Sequence, residues 1–260
     1  MRMRICAVLF LFAAAELFSQ TPPDKKYLPV IKPFVEAVEN NDREKIVSLV
    51  RYPLQRRYPI PDIHNAREMA ERYDQVFDEE VINKIIQSSI EADWHDTGWR
   101  GIQLDGGLIW IDYNGKLAAV NHQTAEEREL RNCIIAQMKM NLHESLREFA
   151  SPELFCETGN YKIRIDLLNN NDLRFALWPI GKDQSGEPDL VLFKGERTLT
   201  GSGGNHFYEF HHNDYQYILF VDVLSQGYGD FFICKGIDML LYDINVGEIF
   251  LEEHIVRIEH

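Results

Sequence analysis

Acidic and histidine side chains that could exchange protons cluster between positions 93 and 122 of the 260-residue chain. Asp93, His95 and Asp96 lie within four positions, and Asp112 and His122 follow. Carboxylates and imidazoles act as general acids and bases when a pocket holds them together and tunes their pKa values. The first three also fit a solvated loop, and the last two also fit surface hydrogen bonds. The sequence therefore favours a protein without catalytic residues.

Three tryptophans, Trp94, Trp99 and Trp110, interleave with these groups. Such aromatic side chains line ligand pockets, although packing is the alternative, because each buries roughly 150–250 Å². With a two-residue loop at Asp105, Arg100 falls on the apolar face of a predicted strand, where it requires a carboxylate partner or a bound anion. A three-residue loop would move Arg100 to the polar face. Trp99, Arg100, Trp110 and Asp112 form the predicted ligand-binding set.

A metal site is not predicted. His206, His211 and His212 surround a predicted hairpin with Glu209. On a strand Glu209 and His211 share one face and His206 takes the other, which leaves two ligands where a site usually needs three or more. Residues 201–205 are glycine-rich but lack the Lys-Ser/Thr and the helix of a phosphate loop. We expect no cofactor.

The cysteines give no disulfide framework. Cys133 lies in a helical pattern and is expected to be a small core residue. The sequence leaves open whether Cys156 and Cys234 form a disulfide, because the pairing depends on geometry.

The N-terminus carries an export pattern. Arg2 and Arg4 precede an uncharged run over residues 5–15, and Pro22-Pro23 follows. This arrangement is typical of a secretory signal peptide, and the run is shorter than the roughly 20 residues of a membrane span. A core helix is the alternative. We predict a signal peptide over residues 1–19, no membrane span in the mature chain, and a periplasmic or secreted protein.

The charge of the chain restricts its partners. It carries 27 Lys+Arg and 41 Asp+Glu, a formal net charge of -14. Removing residues 1–19 takes away two Arg and one Glu and leaves 25 against 40, or -15. An acidic surface argues against nucleic acid and against anionic membranes, and it suits a cationic envelope protein through electrostatic steering. A small molecule is the other partner considered, and the sequence does not indicate an oligomeric state.

The sequence pattern of residues 27–123 predicts a domain of helices followed by hairpins. Apolar spacing indicates helices over residues 30–39 and 42–50, with Asn41 as N-cap of the second. Asn65 and Asp78 are expected to cap two more. Turns at Asp105-Gly106-Gly107 and Asn114-Gly115 predict a three-stranded meander. With two-residue loops, Ile102, Ile109 and Val120 form one cross-strand row, Ile111 meets Ala118, and Trp110 covers Gly101.

The sequence predicts a bridging helix over residues 124–150 and an all-β domain over residues 151–260. Thr124-Ala125-Glu126-Glu127 reads as a capping box, and apolar residues follow at spacings of four. About eight strands follow, with starts expected at Tyr161, Leu173, Leu190, His206, Tyr215, Phe231, Ile237 and Ile249. Regular short strands between turn residues indicate an antiparallel barrel or sandwich. The fold class is therefore α+β.

The first half also resembles a known group of proteins. The stretches that carry the resemblance over residues 30–122 are Tyr52-Pro53-Leu54, Arg72-Tyr73-Asp74-Gln75-Val76-Phe77, Gly98-Trp99-Arg100-Gly101-Ile102, Gly107-Leu108-Ile109-Trp110 and Gly115-Lys116-Leu117. They resemble exported bacterial proteins whose first domain is similar to the nuclear transport factor 2-like cone fold. Enzymes of that fold use pocket Asp and His residues as acid and base.

The second half carries a looser resemblance. Trp178-Pro179, Pro188-Asp189-Leu190-Val191 and residues 201–206 resemble a β domain of similar exported proteins, some likened to periplasmic lysozyme inhibitors. Neither resemblance supplies an activity, because the cone fold hosts enzymes and binding modules alike. The sequence thus favours an exported, non-catalytic binding or inhibitor-type protein of the bacterial envelope. The alternative is a small-molecule-binding or acid/base cone domain with a pocket near Trp99, Arg100 and Trp110.

Overall fold

The structure, a computed structural model, describes residues 25–200, 204–223, 228–241 and 244–260. The predicted signal peptide and residues 201–203 lie outside the described residues. The chain divides into two compact units. The first unit holds the described residues up to Tyr52, with Ala66–Tyr73 and Phe77–His122, and the second holds Pro53–Asn65, Asp74–Val76 and Gln123–His260. Helices and antiparallel sheets are both present, which confirms the α+β class.

The helices before residue 90 follow the apolar periodicity. They are α1 (Leu28–Glu39), α2 (Arg43–Leu49), α3 (Ala66–Glu71), α4 (Tyr73–Val76) and α5 (Glu79–Ile86). Asp78 caps α5 as predicted, since its carboxylate accepts the Val81 N–H at 3.0 Å. The cap of α2 is Asp42, which accepts the Lys45 N–H, so the prediction of Asn41 was wrong by one residue. Asn41 instead adopts a positive φ of 51° in the turn.

The sheet of the first unit has four strands rather than three. It runs in the order β1 (Trp94–Asp96), β2 (Ile102–Leu104), β3 (Ile109–Ile111) and β4 (Leu117–Val120), all antiparallel. The predicted register of β2 was wrong by two residues, because a 3-10 turn at Asp105–Gly107 lengthens the loop and pairs Leu104 with Ile109. Ile109 meets Val120 as predicted. A bulge then pairs Ile111 with Leu117 rather than Ala118.

These strands and helices enclose the core of the first unit. α1 contacts both α2 and α5, and the main chain of Val50 bridges to Leu117 on β4. The fully buried side chains of the unit are Ile31, Phe34, Ile46, Met69, Val81, Ile85, Trp94, Ile102, Ile109, Ile111 and Leu117. The apolar face predicted for the hairpins is therefore the face that is removed from water.

The second unit contains one long helix and nine strands. The helix α6 (Ala125–Asn141) is followed by a 3-10 turn at Glu144–Leu146. The strands are β5 (Ser151–Glu157), β6 (Tyr161–Leu167), β7 (Leu173–Pro179), β8 (Leu190–Leu199), β9 (His206–His212), β10 (Tyr215–Asp222), β11 (Tyr228–Leu241), β12 (Ile244–His254) and β13 (Arg257–Glu259).

These nine strands form a single antiparallel sheet that curls into a half barrel, in the order β12-β11-β10-β9-β8-β7-β6-β5-β13. The predicted strands at Phe231 and Ile237 are one strand, because the irregularity between Lys235 and Met239 interrupts the register without a turn. β5 was missed, because Ser151-Pro152 was interpreted as the end of the bridging helix.

The two faces of this sheet bury different side chains. One face holds a continuous apolar cluster that includes Ile163, Ile165, Phe175, Phe210 and Phe231. On the other face α6 and the residues after it pack on β7 through a second cluster, composed of Ile135, Leu142, Leu146, Phe149, Ala176 and Trp178. The helix therefore covers one end of the sheet and shields whatever side chains β6 and β7 point toward it.

The cysteines do not form a disulfide among the described residues. Cys156 and Cys234 are buried free thiols in different apolar clusters. Cys133 is exposed on α6, so the prediction of a core cysteine was wrong. In the part of the chain that the structure describes, no helix has the length and apolar character needed to cross a membrane.

Candidate functional site

Trp99 and Arg100 lie on an exposed turn rather than on a strand. The turn is a 3-10 helix at Gly98–Arg100, and Trp99 has 62% of its surface exposed. The Arg100 guanidinium lies over the Trp99 ring, 5.6 Å from its centroid. The prediction that Arg100 occupies the apolar face of the meander was wrong, because β2 begins only at Ile102. Gly101 separates the two elements with a φ of 100°.

Trp110 and Asp112 have structural contacts. The Trp110 indole covers Gly107, where an added Cβ would lie 3.0 Å from Nε1, and not Gly101 as the predicted register required. Asp112 accepts the backbone N–H groups of Asn114 and Lys116 at 2.9 and 3.0 Å, so it shapes the turn after β3. Neither residue lines either of the two cavities described below.

Of the acid–base candidates, only Asp93 and His95 share a cavity. It has a volume of about 410 Å³ in the first unit and is also lined by Lys84, Ser88 and Asp105. The His95 Nδ1 atom is buried there and has no hydrogen-bond partner among the described residues. Trp94, between them in sequence, is fully buried and donates its indole N–H to Ser88 Oγ.

The other acid–base candidates are engaged elsewhere in the first unit. Asp96 accepts the Gly98 N–H and the Tyr113 hydroxyl. His122 Nε2 lies 2.8 Å from Asp78, the cap of α5. These hydrogen bonds hold turns and helix ends together, so the cluster seen in the sequence does not converge on one reacting centre.

The histidines of the hairpin between β9 and β10 divide between the two faces of the sheet as predicted. Glu209 and His211 share a face and lie 3.0 Å apart, whereas His206 is buried with its Nδ1 2.9 Å from the Gly204 carbonyl oxygen. Within the described ranges, no three His, Cys, Asp or Glu side chains are grouped closely enough to hold a metal ion.

A second cavity lies entirely within the second unit. Its volume is about 420 Å³, and we call it the Tyr58–Arg164 cavity after its two most buried polar residues. Its wall is formed by α6, β5, β6, β13, the turn before α3 that carries Tyr58, and the loop after β7. The lining residues are Tyr58, Ile134, Gln137, Met138, Asn141, Leu142, Phe155, Glu157, Lys162, Arg164, Asp183, Gln184, Arg257 and Glu259.

The floor of this cavity rests on a buried cluster of charges. Arg164 Nε donates to Asp166 Oδ2 at 3.0 Å, and Arg174 Nη2 donates to the same oxygen at 2.7 Å. Arg174 also donates to the main-chain oxygens of Leu146 and Glu148. All three charged side chains are at least 97% buried. The cluster therefore holds two positive charges and one negative charge away from water.

Arg164 has hydrogen-bonding capacity left over. Its Nη2 lies 2.6 Å from Asp166 Oδ1 as an ion pair, but the alignment is not that of a hydrogen bond, and this buried atom has no hydrogen-bond acceptor among the described residues. The guanidinium lies over the Phe149 ring, 4.9 Å from its centroid. Arg164 is thus held by protein contacts and also lines the cavity.

Tyr58 places a second unsatisfied group on the same cavity. Its side chain is 7% exposed, and its hydroxyl has no hydrogen-bond partner in the described chain. The backbone is held by Arg131, which donates to the Tyr58 carbonyl oxygen at 2.9 Å. Burial raises the pKa of the phenol, and the positive charge of Arg164 only partly opposes this, so the hydroxyl keeps its proton and can donate it.

Acidic and basic side chains alternate around the outer part of the cavity. Arg257 pairs with Glu259 and lies 3.8 Å from Glu157. Lys162 donates to the Lys182 carbonyl oxygen at 3.0 Å, and Asp183 is exposed. The outer lining holds two basic and three acidic side chains, a net charge of -1, whereas the buried cluster of Arg164, Arg174 and Asp166 at the floor has a net charge of +1.

Sequence reasoning missed Tyr58 and Arg164. Lys162, Arg164 and Asp166 alternate with apolar residues on β6, which is the pattern of a strand with one solvated face. Arg174 on the neighbouring strand β7 adds a fourth charged side chain to these three. That number was a hint in the sequence, because a short exposed face does not need four charged side chains. No protein-family model, curated protein or solved structure matches this chain.

Proposed function

We propose that this chain is a non-catalytic binding protein and that its ligand occupies the Tyr58–Arg164 cavity. One observation carries the proposal: Tyr58 and Arg164 line the same cavity, and each has a buried polar atom, Oη and Nη2, without a hydrogen-bond partner among the described residues. A buried donor left unpaired costs roughly 1–3 kcal/mol, and more when it is charged. A ligand that accepts from both atoms would remove that cost.

The chemistry of the cavity favours binding over catalysis. Its innermost polar groups are a guanidinium and a phenol whose pKa is raised, and both are hydrogen-bond donors at neutral pH rather than bases or nucleophiles. Of the acids in its lining, Glu157 and Glu259 lie beside Arg257. Trp99, Arg100 and Trp110 line neither of the two cavities, so neither cavity supports the alternative of a pocket near these residues.

We place this binding protein in the bacterial envelope and assign its halves to the families that the sequence resembles. Export rests on the pattern of residues 1–19. The cone-like assignment of the first unit draws support from helices packed beside a four-stranded antiparallel sheet. The likeness of the second unit to lysozyme-inhibitor-like domains draws support from its curled sheet.

A cationic envelope protein remains the second partner class, because the mature charge of -15 would steer one toward the chain. Lysozyme activity measured with and without the mature chain, at low and at high salt, tests it. Salt-sensitive inhibition would support an inhibitor role. Unchanged lysozyme activity at low salt would contradict that role and leave the small-molecule proposal as it stands.

The cavity proposal is tested by thermal denaturation of the mature chain against a panel of small acids, amines, amides and sugars. Gln137→Trp fills the cavity from the exposed side of α6, and Asn132→Trp adds the same side chain on α6 outside the lining. We expect at least one compound to raise the melting temperature of the wild type and Asn132→Trp but not of Gln137→Trp. A panel without any such compound would refute the proposal.

A further inference from the structure

The charges beneath the Tyr58–Arg164 cavity indicate the sign of its ligand. Arg164, Arg174 and Asp166 together leave one buried positive charge without a carboxylate. Burying an ion without a counter-charge costs several kcal/mol, even after the protein relaxes around it. Arg174 donates to two main-chain oxygens, keeps a buried Nε without a partner among the described residues and does not line the cavity, whereas Arg164 lines it. The missing negative charge therefore belongs beside Arg164.

The donors specify the group that would carry this charge. Arg164 offers a planar guanidinium and Tyr58 a hydroxyl, and a carboxylate oxygen accepts hydrogen bonds from both types. The acids of the outer cavity, Glu157, Asp183 and Glu259, oppose any larger charge. A phosphate monoester carries about -1.5 to -2 at pH 7, which exceeds the single charge that Arg164 leaves uncompensated.

The remaining wall of the cavity is apolar. Ile134 and Met138 line it from α6, Leu142 from the position after that helix, and Phe155 from β5. The volume of about 420 Å³ lies at the small end of ligand sites, which span roughly 300–1,000 Å³. A ligand with a compact hydrocarbon body would pack on these side chains while its charged end reaches Arg164.

From these observations we infer that the Tyr58–Arg164 cavity takes a small monocarboxylate with an apolar body, bound by the Arg164 guanidinium and the Tyr58 hydroxyl. This inference rests on the proposed binding function and names the ligand class for it. The matching of one buried charge by one carboxylate makes recognition depend on the ionised acid, not merely on the shape of the hydrocarbon.

The test measures dissociation constants by calorimetry for compounds that share a hexyl or phenyl body. These are hexanoate, hexanamide, hexylamine, hexyl phosphate, benzoate and benzamide, offered to the mature chain at pH 7. We expect at least one acid to bind about tenfold or more tighter than its amide, because hydrogen bonds between charged groups are stronger than hydrogen bonds to a neutral amide. Hexylamine and hexyl phosphate should bind more weakly than hexanoate.

Two variants locate the interaction. Tyr58→Phe should weaken acid binding about tenfold and amide binding by less, because the hydroxyl bonds more strongly to an ionised acceptor than to a neutral one. Arg164→Met should abolish the preference for the acid. Tyr52→Phe is the matched control, because the Tyr52 hydroxyl donates to the Val47 carbonyl oxygen in the first unit and should leave binding unchanged. If Arg164→Met does not fold, Tyr58→Phe alone decides.

The outcomes separate the inference from the proposal beneath it. Binding of amides, amines or phosphates in the cavity at least as tightly as the acids would overturn the carboxylate inference and leave the binding function intact. An acid preference unaffected by Tyr58→Phe would also overturn it. If no compound here or in the thermal panel binds, the binding function fails, and the carboxylate inference fails with it.

Discussion

At the scale of single residues, the informative atoms are the buried polar ones that lack partners. Most charged side chains of the described chain lie in solvent or in ion pairs, as Arg67 and Glu71 do at 2.9 Å on α3. Tyr58 and Arg164 differ because burial and missing hydrogen bonds coincide at one cavity. Stability is not the reason for such groups, since each unpaired donor lowers the free energy of unfolding.

Without ligand, substitution of two tyrosines by phenylalanine distinguishes a hydroxyl that has no hydrogen-bond partner from a hydroxyl that has one. Tyr52→Phe removes a 3.0 Å hydrogen bond and should lower the free energy of unfolding by about 1 kcal/mol. Tyr58→Phe removes a buried hydroxyl without a partner and should leave that free energy unchanged or raise it. Urea unfolding of the full mature chain measures both. A loss for Tyr58→Phe equal to that of Tyr52→Phe would show that the hydroxyl is already satisfied.

The burial of His206 makes the free energy of unfolding depend on pH. Burial lowers its pKa from 6.5 to about 4, with a smaller contribution from Arg197. The unfolded chain therefore takes up a proton near pH 6.5, while the folded chain resists protonation until about pH 4. The free energy of unfolding should be fully retained above pH 6.5 and should fall by at most about 3 kcal/mol on acidification to pH 4.

Substitution of this histidine isolates its contribution. His206→Gln should flatten the fall in unfolding free energy between pH 6.5 and 4, relative to the wild type, when urea unfolding is repeated at several pH values. His211→Gln, an exposed histidine on the same strand, is the control and should keep the wild-type slope. Equal slopes in His206→Gln and the wild type would mean that His206 takes up its proton as readily in the folded chain as in the unfolded chain.

At the scale of elements, the start of α6 shows a local motif modified by the fold. Thr124 caps the helix as predicted, accepting the Glu127 N–H at 3.1 Å. The Glu127 side chain does not complete a capping box. It forms two 2.6 Å hydrogen bonds with Arg56, 71 residues earlier, and both side chains are buried. The sequence indicated the cap, but the long-range ion pair depends on how the segment before α3 lies in the second unit.

This ion pair should be costly to break from one side. Glu127→Gln leaves the buried Arg56 guanidinium without its carboxylate and should lower the free energy of unfolding by about 3–5 kcal/mol. Glu71→Gln makes the same change in the exposed pair with Arg67 and should leave the free energy of unfolding nearly unchanged, because water screens that pair. Chemical denaturation of both variants compares them. Similar small losses would show that water reaches the Arg56 pair.

The pairing of β2 with β3 depends on the length of the turn between them, which the sequence pattern did not indicate correctly. Asp105-Gly106-Gly107 was expected to close a two-residue hairpin, but its 3-10 turn moves the pairing of β2 by two residues. A shift of two keeps each side chain on its face, so the apolar face was predicted correctly even though its partners were not. Arg100 was misplaced for a different reason, since the strand begins after it.

At the scale of the whole molecule, the acidic charge and the N-terminal segment concern where the protein works. Expression of the full chain in a Gram-negative host should yield a periplasmic product that lacks residues 1–19, with a corresponding intact mass. Replacing Leu9 and Leu11 with Arg should keep the chain in the cytoplasm at full length, because the apolar run is lost. Replacing Lys25 and Lys26 with Gln is the control. A full-length cytoplasmic product from the unaltered gene would contradict export.

The sequence by itself determined the local features of this protein. Helix periodicity, the caps at Asp78 and Thr124 and the alternation of strand faces depend on residues close together in the chain, so they could be predicted from their spacing. The α+β class follows from those elements.

Only the tertiary structure decided where a ligand could bind. The charged row of β6 and β7 resembles a solvated face until α6 and the segment carrying Tyr58 cover it. That covering depends on contacts between residues far apart in sequence, such as Tyr58 with Arg131 and Arg174 with Leu146. Burial removes water from these charged side chains and leaves hydrogen-bonding atoms without partners. The local sequence pattern does not indicate burial of this kind, because the covering residues are distant in the chain.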